Sequence, residues 1–343
     1  MEKLAYFEST HEFPEEIVMA AGMTPFKIMG DVHKPNDPAD QYVQNFICPA
    51  ARSVLTETLT GAENWAGIIV THGCDPTNRF FDVMRRHAKS DFIYWFNSPM
   101  NRNKTAHKYL KVELKRMVNE IEKKYKVEIT DEKIKDAIKI SNQIKGLMQQ
   151  LSKLRAEKDV MNREFYEICL KAVQLPKSEV IALLEKTLDE WKAKPEFPKD
   201  KKKILLTGSD ITYVEWMDLL EDANLRVVRD DLSLGERYFA VLIPDNPDPL
   251  DSLIEYHFKK PRASTKNPPD PRLDYLLGAL EETKVDFVVS QNIKFCEVFA
   301  FDAVWIQNAL KEKGYKVIHL EREFSPTKDR GAITRLEAFA ELV

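Results

Sequence analysis

Four short runs of this chain are apolar without alternation: "AGIIV" at 66–70, "FIYWF" at 92–96, "ILLTG" at 204–208 and "FVVSQ" at 287–291. Strands that read this way are buried on both faces, as in parallel sheets. Polar loops and helical patterns follow them. "THGCDPTNR" then "FFDVMRRHA" comes after the first, and "NSPMNRN" after the second. This rhythm restricts the chain to α/β architecture with open parallel sheets and helices on their faces. "PFKIM" at 25–29, "LRVVRDD" at 225–231 and "YFAVLIP" at 238–244 are further short apolar segments. Pro14 with Glu15 and Glu16 makes a plausible first helical turn, and Gly22 a stop. A helix begins or is interrupted near Pro49.

Between the two strand-rich parts the character changes. "KYLKVELKRMVNEIEKKYKV", "DEKIKDAIKISNQIKGLMQQLSKLRAEK" and "SEVIALLEKTLDEWKA" are amphipathic and rich in Lys and Glu, the pattern of helices with solvated charged faces. We therefore divide the chain into an N-terminal α/β domain at 1–104, a helical insert at 105–195 and a C-terminal α/β domain at 196–343. With 343 residues there is enough chain for two cores. A net charge of -4 gives no nucleic-acid footprint. The opening "MEKLAYFESTHEF" is charged at once and is not read as a signal peptide. No run approaches the ~18 apolar residues of a membrane helix. A cytoplasmic protein without membrane or nucleic-acid partners is the expectation.

The four cysteines, Cys48, Cys74, Cys169 and Cys296, include no CxxC pair, and without an export signal a disulfide framework is a poor account of them. Cys74 and Cys296 sit in polar loops after apolar strands, where open parallel sheets collect their chemistry, and Cys48 precedes Pro49 at another element end. Cys169 lies within the helical "NREFYEICLKAVQL" and reads as a core thiol. Three thiolates without a companion histidine suit iron–sulfur chemistry better than a three-ligand zinc site. One iron would then lack a cysteine and could act as a Lewis acid. A set of core cysteines beside an unrelated cleft is the competing reading. Nearby, His72 is a candidate proton shuttle or a histidine bonded to a carbonyl. Asp75 is a candidate helix cap, and Arg52 and Arg79 are candidates to neutralise thiolates or to be surface charges. Glu236 in "SLGERYF" and Glu297 beside Cys296 compete for the role of catalytic base. The basic "FKKPRASTK" reads as a solvated loop or a contact for phosphates. Neither GxxxxGK[ST] nor GxGxxG is present.

"FPEEIVMAAGMTPFKI", "NFICPAARS", "IIVTHGCDPTNRFFDVM", "ILLTGSD", "VVRDDLSLGERYF", "VDFVVSQNIKFCE" and "TRLEAFAELV" follow one another over nearly the whole chain. In that order they resemble the 2-hydroxyacyl-CoA dehydratase family, which includes subunits of ATP-dependent benzoyl-CoA reductase. The resemblance implies two Rossmann-like domains with added helices and a [4Fe-4S] cluster in the interdomain cleft on Cys48, Cys74 and Cys296. It implies a related second subunit and a separate ATP-hydrolysing iron–sulfur activator. It also implies a lyase reaction on a 2-hydroxyacyl-CoA: one electron enters the thioester, the ketyl radical expels the C2 hydroxyl, and the C3 proton becomes acidic enough for an ordinary base. The electron then returns, leaving a 2-enoyl-CoA. Alternatively the chain is a benzoyl-CoA reductase subunit acting on an aromatic acyl-CoA, or a non-catalytic electron-relay subunit. Double-cubane members need more cysteines than this chain has.

Overall fold

The computed structural model describes residues 1–9 and 12–343. The first sheet contains β1 (Lys3–Phe7), β2 (Thr24–Lys27), β3 (Gly67–Thr71) and β4 (Ile93–Phe96). All its pairings are parallel, in the order β2-β1-β3-β4. The second contains β5 (Lys202–Gly208), β6 (Leu225–Asp231), β7 (Phe287–Ile293) and β8 (Val317–Arg322), parallel in the order β6-β5-β7-β8. Every residue of β3 and β7 is buried, which is why these strands are apolar without alternation. In both sheets the strand order reverses at the middle pair, between β1 and β3 and between β5 and β7. Crevices open outside the carboxyl ends of strands at such reversals.

Four helices, Lys104–Tyr125, Asp131–Glu157, Asn162–Ala172 and Lys177–Lys192, lie between the sheets in sequence. Asn103 and Thr130 cap the first two, accepting hydrogen bonds from Ala106 N at 2.8 Å and Lys133 N at 3.3 Å. Their charged residues do not all form a solvated face. Lys145 is buried 3.6 Å from Glu16, and Arg155 is buried 2.9 Å from Asp230 and 2.6 Å from Glu236. The Asp131–Glu157 helix thus reaches the first helix of the chain, Glu15–Ala20, at one place and the end of β6 at another.

"YFAVLIP" differs from a strand: Glu236–Phe239 forms a helical turn, and the chain then crosses to the first sheet. Ile243, Leu250, Leu253, Ile254, Tyr256 and Phe258 join the core formed by Leu4, Tyr6, Ile69, Phe92 and the Lys104–Tyr125 helix. The segment containing "KKPRASTK" is likewise not solvated. Lys260, Arg262 and Lys266 are buried, with Arg262 Nη2 donating to Met100 O at 2.9 Å and Lys266 Nζ to Ser98 Oγ at 3.0 Å. Gly208, ending β5, is the one tight point of the second sheet. Its φ is +131°, and a Cβ there would lie 1.7 Å from Gln291 O, so only glycine fits.

Candidate functional site

One cavity of about 510 Å³ lies where the carboxyl ends of the two sheets meet. Its wall includes Glu8 and Ser9 after β1, Cys74 after β3, Ser209 and Asp210 after β5, and Cys296 after β7. These are the loops flanking both strand-order reversals. Cys48 completes the thiol set from the start of the Pro49–Gly61 helix.

The three cysteines share one local setting. Cys48, Cys74 and Cys296 are the cap residues of the helices Pro49–Gly61, Asp75–His87 and Glu297–Glu312. Each thiol therefore faces unpaired helix-start amides, which favour a thiolate. Pro follows Cys48 directly and Cys74 by two residues, at first-turn positions where its missing N–H costs nothing. Cys48 and Cys296 are hydrogen-bonded. Together with the Ala50 and Ala51 amides, that bond brings the Cys48 thiol down to about 7. The same bond, followed by burial, pushes Cys296 up. Burial raises Cys74 to about 11 against the opposing Ser9 hydroxyl and Thr77 amide. Phe295, immediately before Cys296, has φ +63°, a left-handed conformation that non-glycine residues rarely adopt. It ends the turn from β7 and leaves its ring exposed.

Cys169 is apart from these, buried in the helix Asn162–Ala172 and packed in the second sheet's core. Asp75 is the first residue of its helix rather than the cap, and it pairs with Arg79 at 3.4 Å. The helix starts before "FFDVMRRHA" because Cys74 supplies the cap: Thr77 Oγ1 accepts from Cys74 N at 3.1 Å and Gly73 N at 3.2 Å. Arg52 Nη1 is bonded to Asp40.

The acid–base candidates separate. Glu297 is in the cavity wall at the exposed start of its helix. His72 is outside the wall, with Nδ1 3.1 Å from Ser98 O and its ring beside Trp95. Glu236 is also outside it. Its buried carboxylate accepts from Arg155 Nη2 at 2.6 Å, Ser152 Oγ at 2.9 Å, Tyr275 OH at 2.9 Å and Arg229 Nε at 3.0 Å. Burial would raise its pKa, but Arg155 and Arg229 outweigh it and hold the carboxyl below its ordinary value.

Sequence reasoning missed the buried ion pair in the wall. Lys27 Nζ is 3.0 Å from Glu8 Oε1 and donates to Glu8 O at 3.1 Å, with both side chains almost wholly buried. A charge at the end of an apolar strand, as in "PFK" and "YFE", was the available signal.

Among the described residues, no three His, Cys, Asp or Glu side chains stand close enough to hold a single metal ion. An iron–sulfur cluster makes a different demand, because its thiolates bind different irons. Three thiols around one cavity, each facing helix-start amides, suit that demand.

The fold and site define a class: an α/β protein with two parallel sheets whose switch-point loops surround a thiol-lined cavity. The chain belongs to the family described as 2-hydroxyglutaryl-CoA dehydratase, D-component, whose model matches residues 10–343. It is 25% identical to the (R)-phenyllactyl-CoA dehydratase beta subunit of Clostridium sporogenes over 96% of this chain and 88% of that one. It is 25% identical to lactoyl-CoA dehydratase subunit beta of Anaerotignum propionicum, over 96% and 89%. It is also 25% identical to (R)-2-hydroxyglutaryl-CoA dehydratase subunit beta of Acidaminococcus fermentans, again over 96% and 89%. No described helix is long and apolar enough to cross a membrane.

Proposed function

We propose that this chain is a subunit of an ATP-activated (R)-2-hydroxyacyl-CoA dehydratase and holds a [4Fe-4S] cluster on Cys48, Cys74 and Cys296. The observation that carries this is the convergence on one cavity of three cysteines, of which the most distant, Cys48 and Cys296, are 248 residues apart in the sequence. When bound, the cluster supplies one-electron chemistry and an iron without a cysteine ligand. The chain's own residues do the rest. Helix-start amides hold the thiolates, the Glu8–Lys27 pair fixes the wall behind them, and Glu297 is the carboxylate placed to take a proton from a substrate in the cavity. ATP hydrolysis falls to a separate activator, since no phosphate-cradling Gly-rich motif is present. A related second subunit fits the apolar face beside the cavity, where Phe301 and Val304 are 80% and 60% exposed.

The test is anaerobic purification with partner and activator, followed by iron and sulfide analysis. Cys48→Ala, Cys74→Ala and Cys296→Ala are each expected to lose bound iron, while Cys169→Ala retains it. Equal iron in all four variants defeats the ligand assignment. Conversion of a 2-hydroxyacyl-CoA to the 2-enoyl-CoA without net electron consumption supports dehydration. A cyclic diene formed from benzoyl-CoA with stoichiometric donor oxidation defeats it.

A further inference from the structure

The cavity wall states what kind of acyl group belongs in it. Much of its surface is apolar, with Phe7, Ile28, Phe46, Val54 and Phe299 drawn from both halves of the molecule. Among the described residues its charged side chains are Glu8, Asp75, Asp210 and Glu297 against Lys27 and Arg79. Carboxylates therefore outnumber cations, and both cations already stand beside wall carboxylates. Lys27 is buried on Glu8 at 3.0 Å, and Arg79 is mostly exposed and paired with Asp75 at 3.4 Å. A second carboxylate on the substrate would meet a wall in which its own sign of charge predominates and would compete with Asp75 for Arg79, and burying an incompletely paired charge is unfavourable. An uncharged hydrocarbon group would instead cover the aromatic and branched side chains.

Resting on the acyl-CoA reading above, we propose that the substrate's acyl chain is uncharged and bulky, an aryl or branched-alkyl group, and that the wall rejects a dicarboxylic one. Specificity then resides in Phe7, Phe46, Val54 and Phe299 for attraction and in Asp210 and Glu297 for exclusion. The buried cations at Arg262 and Lys266 do not change this, because neither is part of the wall. Lys266 is held by Ser98 Oγ at 3.0 Å and Pro99 O at 3.1 Å, and Arg262 by Met100 O at 2.9 Å.

The experiment is anaerobic equilibrium dialysis of the full chain, reconstituted with iron and sulfide, against phenyllactyl-CoA, lactoyl-CoA, 2-hydroxyglutaryl-CoA and free CoA. It reads binding alone and needs no turnover. Phenyllactyl-CoA is expected to bind at least about tenfold more tightly than either other acyl-CoA, given the apolar area a phenyl group covers. Binding of 2-hydroxyglutaryl-CoA as tight as that of phenyllactyl-CoA, or tighter, overturns the inference and leaves the acyl-CoA reading standing. Acyl-CoAs that all bind no better than free CoA overturn both. Phe46→Arg places a cation in the wall at a side chain that is 62% exposed, so the fold does not depend on it. It is expected to narrow the phenyllactyl to 2-hydroxyglutaryl ratio by about fivefold, the scale of one charge pair near a protein surface. An unchanged ratio overturns the inference by showing that the acyl group does not meet this wall.

Discussion

Glu12 and His257 illustrate how burial decides charge at single residues. His257 Nε2 is 3.0 Å from Glu12 Oε2 in a buried setting. Burial, with Lys260, Lys266 and Arg262 adding to it, lowers His257 from 6.5 to about 3 despite Glu12. Burial would raise Glu12, but His257, Lys266, Lys260 and Arg262 bring it from 4.5 to about 2. The folded state therefore keeps His257 neutral and Glu12 ionised where the unfolded chain takes up protons. Stability from both groups is present at neutral pH and declines with acid, through the histidine between 6.5 and about 3 and through the carboxylate between 4.5 and about 2. His257→Gln is expected to flatten the decline above pH 4.5, measured as the urea midpoint across a pH series. A slope equal to the parent's would show that His257 does not contribute. Residues of this kind were not legible in the sequence: the neighbouring "FKKPRASTK" reads as a solvated loop or a contact for phosphates, and only the hydrogen bonds to Met100 and Ser98 reveal it as interior. The cysteines were legible, because position at the end of an apolar strand is itself a local signal. Whether three such ends meet is a property of the fold.

At the scale of elements, the helices between the sheets matter through what they pin. Glu15 receives hydrogen bonds from Tyr6 OH at 2.6 Å, Lys177 Nζ at 2.9 Å and Tyr238 OH at 3.0 Å. Those partners come from β1, from the start of the Lys177–Lys192 helix and from the turn after β6. One carboxylate therefore ties three elements together, and removing one member leaves a buried charge unpaired. Lys177→Ala is expected to cost about 3–5 kcal/mol in denaturant unfolding. Combining Lys177→Met with Glu15→Gln should recover part of that loss, since no net charge is then buried. A double variant no more stable than Lys177→Ala would mean that lost packing, not the unpaired carboxylate, is responsible. The amphipathic period predicted these helices well. It did not separate Lys145 and Lys177, which are buried, from the many exposed lysines around them, because a buried cation and a solvated one occupy the same helical spacing. β6 was recognisable in "LRVVRDD", whereas "YFAVLIP" has strand composition and becomes a crossing segment. Tertiary contacts override β propensity there.

For the whole molecule, the chain path makes the two sheets interdependent. Residues 243–258 leave the second sheet's neighbourhood and supply Leu250, Leu253, Ile254, Tyr256 and Phe258 to the core of the first. Burial of such side chains stabilises by about 1.5–3 kcal/mol each, so together they rival the roughly 5–15 kcal/mol that separates a folded domain from its unfolded chain. A fragment ending at residue 195 would contain all of the first sheet and the four following helices, yet it would expose the Lys104–Tyr125 face that those residues cover. Such a fragment is expected to lack a cooperative thermal transition and to bind a dye for exposed apolar surface. The full chain is expected to unfold in one transition, whether followed by far-ultraviolet circular dichroism or by tryptophan fluorescence, with Trp65 and Trp95 in the first half and Trp191, Trp216 and Trp305 in the second. Separate midpoints for the two probes, or a cooperatively folding fragment, would mean that the first sheet holds its core without the returning segment. The same interdependence bears on the cavity. Its thiols come from both halves, so with the proposed cluster in place anything that loosens residues 243–258 should lower iron retention even with Cys48, Cys74 and Cys296 intact. Leu253→Ala, buried in that segment and not part of the cavity wall, is expected to lose about 2–5 kcal/mol of stability and to release iron of the proposed cluster faster on chelator challenge. Unchanged iron release alongside a lowered unfolding midpoint would show that the cavity is held together by its own loops alone.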